Sequence, residues 1–343
     1  MRIGVWAPNA AFDPETKRIS TGLKIDVDLI RYGAEHLGHD FDICSLDDTT
    51  FDLVFSLEKT PPKKIINAVK AYGGKIAWCV NTDLLSMYPG CVIKSELVDF
   101  YIGKTQGQHD YIASLNWAGE THRINFASPF SERPGSVDRK CLLHIAGSSP
   151  YKNSMEQLRA GIELVEAGHF DEFYLKLSSH HTTIQQMVER MKKLAKAHPR
   201  VHIIDRYLSE EEKIDLYQKT RVALCASARE GFGHYILEAA SHGCQVVTTD
   251  GYPMKELLDE QVYLANAKRK MPEDENALWG FRYECKKEEV KLAVMKALAD
   301  DFKPHLAVGN LQKRKDLFLK DFKAFITAAN IDSSGRLSSW EVF

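Results

Sequence analysis

The chain has 343 residues, a length that favours two domains over a single core. Apolar residues make up 44% and charged residues 27%, an ordinary globular composition, and a formal net charge of -2 gives no overall basic field for nucleic acid, although a local basic face stays open. No apolar run approaches the roughly 20 residues that span a bilayer, and the seven cysteines are scattered without a CxxC pair, which points to a reducing, cytoplasmic compartment.

MRIGVWAP opens the chain as a strand and lacks the charged, apolar and cleavage regions of a signal peptide. GLKIDVDLIRYGAEHLGH has apolar residues at helical spacing and ends near Gly38. DFDICS, DLVFSL and KIAWCVN read as strands, with KKIINAVKAYGG as a helix between the last two. DFYIGK and HRINFAS close this half. SPFSERPGSVDRK (128–140) is rich in Pro, Ser, Gly and charge, and reads as a linker. The alternation then restarts. CLLHIAG, EFYLKLS, RVHIIDRY, RVALCAS and CQVVTTD are strands. KNSMEQLRAGIELVEAG, TTIQQMVERMKKLAKAH and SEEEKIDLYQKT are helices, the last with Ser209 as N-cap and Glu212 completing a capping box. Helical segments follow from about Glu288. Strand–helix alternation in both halves predicts two α/β, doubly wound, Rossmann-like domains facing a cleft, with ligands at the carboxyl ends of the strands.

The stretch EGFGHYILEAASHG (230–243) carries the sharpest chemistry. Gly231 and Gly233 permit backbone angles closed to other residues and leave room for a ligand. The helix start offers free N–H groups to an anion. Glu230 in the loop can accept from sugar hydroxyls, and Glu238, expected about two turns along, can reach a vicinal diol such as a ribose. The plain alternative is a helix-start Glu favoured by the macrodipole and an ordinary surface Glu.

This stretch resembles the E-x7-E signature of GT-B glycosyltransferases, especially the retaining family 4 type, and the likeness extends over about 142–260. LLHIAGSSPYKN also resembles a segment common in viral and phage-like members. The resemblance implies a GT-B fold: residues 1–135 as an acceptor-binding domain, 136–305 as a nucleotide-sugar domain, and 306–343 as a helix returning to the first domain. It implies that Glu230 contacts the donor sugar, that Gly231, Phe232 and Gly233 present amides to sugar and phosphate, and that Glu238 holds the ribose. Lys152 would neutralise the pyrophosphate, its bland reading being a solvated lysine. The family has Arg or Lys after the strand-end glycine, whereas Gly147 is followed by Ser148 and Ser149; Lys176, at a strand end, could substitute. Arg206, Tyr207 and Leu208 fall where main chain holds the base. Gly22, in the loop before the first helix, matches one glycine of a usual pair, with Ser20 or Thr21 as a plain helix cap. Asn81, with Asp83 nearby, stands where the family often has His; it can bind a donor-sugar hydroxyl but cannot act as a base.

The expected donor is a UDP- or GDP-sugar, with no cofactor or metal required. The acceptor is a carbohydrate or glycoconjugate, or alternatively a hydroxymethylated base in DNA. A non-catalytic nucleotide-sugar or glycan-binding protein is the rival from another class. His180 and His181 point to opposite faces if on a strand, which disfavours a metal pair. NIDSSGRLSSWE (330–341) fits an EF-hand loop with Asn330, Asp332, Ser334, Gly335 and Glu341, but its first position is Asn and a polar tail is the plainer reading.

Overall fold

A computed structural model describes residues 1–7, 12–13, 18–19, 21–82, 97–128, 130, 132–136, 138–147, 149–178, 182–270, 280 and 282–330. The chain divides into two compact units, Met1–Pro129 with Lys313–Phe343, and Phe130–Gln312.

The first unit begins with β1 (Arg2–Trp6), the short antiparallel pair β2 (Phe12–Asp13) and β3 (Arg18–Ile19), α1 (Thr21–His36) and β4 (Asp40–Ile43). It continues with β5 (Leu53–Glu58), α2 (Lys63–Tyr72), β6 (Lys75–Val80), β7 (Phe100–Gly103), α3 (Gln106–Ser114) and β8 (Glu120–Arg123). Its six-stranded sheet runs β4-β1-β5-β6-β7-β8 and is parallel throughout. LVFSL and IAWCV are buried along their whole length, because helices cover both faces of a parallel sheet. Gly73 ends α2 in the left-handed conformation at φ 97°, where its N–H reaches the last carbonyls, as a glycine C-cap does. Gly22 falls inside the first turn of α1 rather than in the loop before it.

The second unit holds β9 (Cys141–Gly147), α4 (Ser154–Glu166), β10 (Glu172–Leu177), α5 (Thr182–Ala195), β11 (Val201–Asp205) and α6 (Glu210–Lys219). There follow β12 (Thr220–Cys225), α7 (His234–Ser241), β13 (Gln245–Thr249), β14 (Val262–Ala265), β15 (Lys268–Arg269), β16 (Tyr283–Glu284) and α8 (Lys287–Ala299). Its sheet is also parallel, in the order β11-β10-β9-β12-β13-β14. Strand β14 and the pair β15–β16 are absent from the sequence reading, since VYLA is short and KR is polar. The capping box on α6 forms as expected: Ser209 and Glu212 exchange side-chain-to-backbone bonds.

The last helix, α9 (Pro304–Asn330), starts in the second unit, where Asn310 accepts from the N–H groups of Asp259 and Glu260 at 2.8 and 3.3 Å. From Lys313 it belongs to the first unit. There Phe318 and Phe322 are fully buried, and Phe322 stacks on Phe55 with ring centres 5.6 Å apart. A Cβ on Gly33 of α1 would come within 2.9 Å of the Phe322 ring, so the close approach of the two helices needs a glycine there. Among the described residues no helix is long and apolar enough to cross a membrane, and the six described cysteines are free and buried.

Phe322→Ala removes a fully buried ring and is expected to cost about 3–5 kcal/mol. Denaturant unfolding followed by tryptophan fluorescence checks this, since Trp6, Trp78 and Trp117 all lie in the first unit. A loss below about 1 kcal/mol would mean that the site collapses around the missing ring or that the helix is not part of this core.

Candidate functional site

In an open parallel sheet, ligands bind outside the carboxyl ends of the strands where the strand order reverses. In the second unit that point lies between β9 and β12: the chain winds outward one way through β10 and β11, then returns to the other side of β9. Two loops meet there. One leaves β9 at Gly147, at φ 59°, and enters a short 3-10 turn over Pro150–Lys152 capped by Ser149, whose hydroxyl accepts from the Tyr151 N–H at 3.3 Å. The other leaves β12 and leads to Glu230 and α7.

These loops are bound to each other. The Ala228 N–H donates to the Tyr151 carbonyl at 2.8 Å. Gln157, fully buried, donates to the Lys152 carbonyl at 2.6 Å and accepts from the Ala226 N–H at 3.0 Å. His144 on β9 adds a third tie. Its Nδ1 lies 2.8 Å from the Leu224 carbonyl and its Nε2 lies 3.0 Å from the Ser154 hydroxyl. A carbonyl only accepts, so Nδ1 carries the proton and Nε2 accepts from Ser154. Burial holds this imidazole neutral and pushes its pKa down to about 4.

The result is an ion pair: Lys152 Nζ stands 2.5 Å from Glu230 Oε1, with both side chains largely buried. The ammonium also sits 3.9 Å from the centre of the Tyr235 ring. Tyr235 is fixed by its hydroxyl, which lies 2.8 Å from the Cys225 carbonyl and 2.6 Å from Ser227 Oγ. Gly233 caps α7 at φ 110°, a conformation open to glycine. Phe232 is buried and packs on His234 with ring centres 4.8 Å apart.

Glu238 lies just over one turn into α7, not two, and only 8% of it is exposed. It pairs with Lys213 Nζ at 2.6 Å and accepts from the Tyr217 hydroxyl at 3.3 Å. Burial alone would lower the Lys213 pKa, but the Glu238 and Glu210 carboxylates together outweigh it and hold it above its ordinary value. Tyr217 is itself buried and stacks flat on His242, ring centres 4.7 Å apart.

Other expected residues lie in local arrangements. Half-buried Lys176 donates to its neighbour's carbonyl at Leu177, 2.7 Å away, and burial lowers its pKa. Arg206 forms a two-pronged bond to Glu212 at 2.6 and 3.0 Å, Tyr207 is 75% exposed, and Leu208 is buried. Gly22 and Asn81 belong to the first unit. Asn81 follows β6 and is engaged on both sides of its amide, by Lys104 Nζ at 3.0 Å and Glu58 Oε1 at 3.3 Å. Ser148, Asp83, His180, His181 and the 331–341 part of the EF-hand-like tail lie outside the described residues. Among the described residues no group of His, Cys, Asp and Glu could hold a metal ion.

Sequence reasoning did not single out Lys213, Tyr217, Tyr235, Gln157 or His144 as neighbours of this site. Lys213 reads as a capping-turn lysine in SEEEK, and His144 as a core residue in CLLHIAG. The pairing of β9 with β12 brings His144 beside the Glu230 loop, and α6 brings Lys213 and Tyr217 to Glu238.

Residues 131–274 match the family described as glycosyl transferases group 1. A search of curated proteins finds no match. Solved structures of similar fold include Anabaena Alr3699/HepE in complex with UDP and glucose, 13% identical, with a TM-score of 0.62 over 96% of this chain and 99% of that one. The apo lipopolysaccharide outer core galactosyltransferase WaaB is 12% identical, with a TM-score of 0.62 over 96% and 99%. The pneumococcal O-GlcNAc transferase GtfA in complex with UDP and GlcNAc is 14% identical, with a TM-score of 0.57; 88% of this chain spans 59% of that one. The fold is that of GT-B glycosyltransferases, and the stretch that matches the group 1 family includes both loops of this site.

His144 sets an acid limit. Its folded pKa of about 4 lies below the free value of 6.5, so the unfolded chain binds the extra proton between those values. The stability held by neutral His144 is complete above pH 6.5 and is lost as pH falls toward 4, on the order of 3 kcal/mol in all. His144→Gln keeps a donor and an acceptor but does not titrate. Its unfolding free energy is expected to fall less steeply over that window; an unchanged slope would sink the assignment.

Proposed function

We propose that the chain is a retaining, family 4-like glycosyltransferase that takes a sugar from a UDP-sugar and passes it to a hydroxyl of a carbohydrate or glycoconjugate. The single observation that carries this reading is the Lys152–Glu230 pair at the β9/β12 switch point, beside the Gly-rich start of α7. The complexes of GtfA with UDP and GlcNAc and of Alr3699/HepE with UDP and glucose favour uridine over guanosine.

On this reading the donor diphosphate takes Lys152 as its counter-ion, and the N–H groups at the start of α7 add to the positive field. Glu230, released from Lys152, accepts from hydroxyls of the transferred sugar. Glu238 accepts from the ribose diol, with Lys213 and Tyr217 keeping its carboxylate aimed. As the bond from the sugar's anomeric carbon to the leaving phosphate oxygen breaks, the acceptor oxygen bonds to that carbon on the same face. The acceptor's proton goes to the departing phosphate oxygen, so no protein base is needed. Lys152 matters most here, because negative charge grows on the leaving diphosphate as the bond breaks. The first unit holds the acceptor.

Lys152→Ala and Glu230→Ala are each expected to lower transfer at least tenfold, a loss of about 1.4 kcal/mol or more of transition-state stabilisation. UDP should raise the melting temperature of the wild type and do so less in Glu238→Ala. Wild-type rates in both of the first two variants, or no shift with UDP or any other nucleotide, would remove the assignment.

A further inference from the structure

We propose that Glu58 is the carboxylate with which the first unit binds sugar hydroxyls, and that Asp26, Lys104 and Asn81 are the buried group that positions it. Naming this sugar as the acceptor rests on the glycosyltransferase reading; the binding site itself does not.

The first observation is topological. In the first sheet the strand order reverses between β1 and β5, with β4 on the far side of β1. Glu58 is the last residue of β5, so it stands at the carboxyl edge of that switch point. Glu230 follows β12, which pairs with β9 at the corresponding reversal in the other sheet.

The second is backbone strain. Glu58 has φ 60°, and the Lys59 N–H donates to the Leu57 carbonyl at 2.7 Å across it. A three-residue turn with positive φ at its centre is the rare, strained γ-turn. The Ser56 hydroxyl locks the turn by donating to the Lys59 carbonyl. Of the three other non-glycine residues described at positive φ, Asn116 and Asn153 are of a type that tolerates it, whereas Gln261 and Glu58 do not gain from it. Strain of this sort persists where the surroundings impose it, and it clusters at ligand sites.

The third is the buried group behind the turn. Lys104 is 1% exposed and lies 2.6 Å from Asp26 Oδ2 and 3.0 Å from Asn81 Oδ1. Because an ammonium only donates, Asn81 must turn its oxygen to Lys104 and its Nδ2 to Glu58. An ammonium and a carboxylate in a sheet interior are costly to bury and stabilise less than apolar packing would. Buried charge clusters of this kind gather at functional sites, as they do in structural ion-pair networks.

The chemistry selects the ligand. Glu58 is half-buried, and its side chain accepts a hydrogen bond from Asn81 Nδ2. A carboxylate has about four acceptor positions, so it can take two neighbouring hydroxyls. Burial, the largest influence, raises its pKa, against the opposing pull of Lys104. Asp26 already compensates the buried Lys104, so that cation is not left to pair with a phosphate, and a neutral polyol suits the Glu58 carboxylate better.

The test titrates methyl glycosides of glucose, galactose, mannose and N-acetylglucosamine into the full chain by saturation-transfer NMR, with UDP binding measured alongside. At least one glycoside is expected to bind the wild type, and Glu58→Gln is expected to weaken it at least tenfold with UDP affinity unchanged. Glu58→Gly relieves the turn, so it should melt at or above the wild-type temperature and still lose the glycoside. No glycoside binding in the wild type, or equal affinity in both variants, overturns the proposal. Glycoside binding that depends on Glu58 in a chain that ignores every nucleotide would leave this site standing and sink the glycosyltransferase reading.

Discussion

The Lys152–Glu230 pair is the contact around which the second unit is arranged. Two opposite charges 2.5 Å apart and mostly out of water do little for stability, because the desolvation of both offsets their attraction. Yet the surrounding residues serve to hold it: Gln157 and His144 tie the β9 turn to the end of β12, and Tyr235 backs the ammonium. A chain selected for stability alone could fill this space with apolar side chains. A poised cation beside a helix start is useful when an anionic leaving group has to be held, and the pair keeps each charge compensated until then.

The two units solve one problem with different windings. In the first sheet one strand lies beyond β1 before the reversal, and in the second two lie beyond β9. Both bring a glutamate to the edge where the order reverses. In the second unit the flanking charge is a lysine from the neighbouring loop. In the first it is a lysine buried beneath the sheet edge and neutralised by Asp26. One site therefore suits an anion-bearing ligand and the other a neutral one.

The alternation of short apolar strands with amphipathic helices made both sheets legible, because period-two and period-3.6 patterns are local properties. The EGFG stretch was legible because a glycine turn, a helix and two carboxylates lie within nine residues. What stayed hidden depends on distance along the chain. Asp26 and Lys104 are 78 residues apart, and DFYIGK reads as a strand end with an ordinary lysine. Lys213 follows the capping box with no sign of a partner in the local sequence, yet α6 lays it on Glu238. Glu58 gave no sign at all, since a positive φ at a glutamate has no sequence signature. Glu238 was placed a turn too far because Phe232 and Gly233 extend the loop before α7 begins.

The most direct measurement is calorimetric titration of UDP and UMP into the wild type and Lys152→Ala. The second phosphate is the group that Lys152 is assigned to hold. The wild type should therefore prefer UDP to UMP, and the variant should lose most of that preference while keeping its affinity for UMP. An equal preference in both proteins would contradict the assignment of Lys152 to the diphosphate.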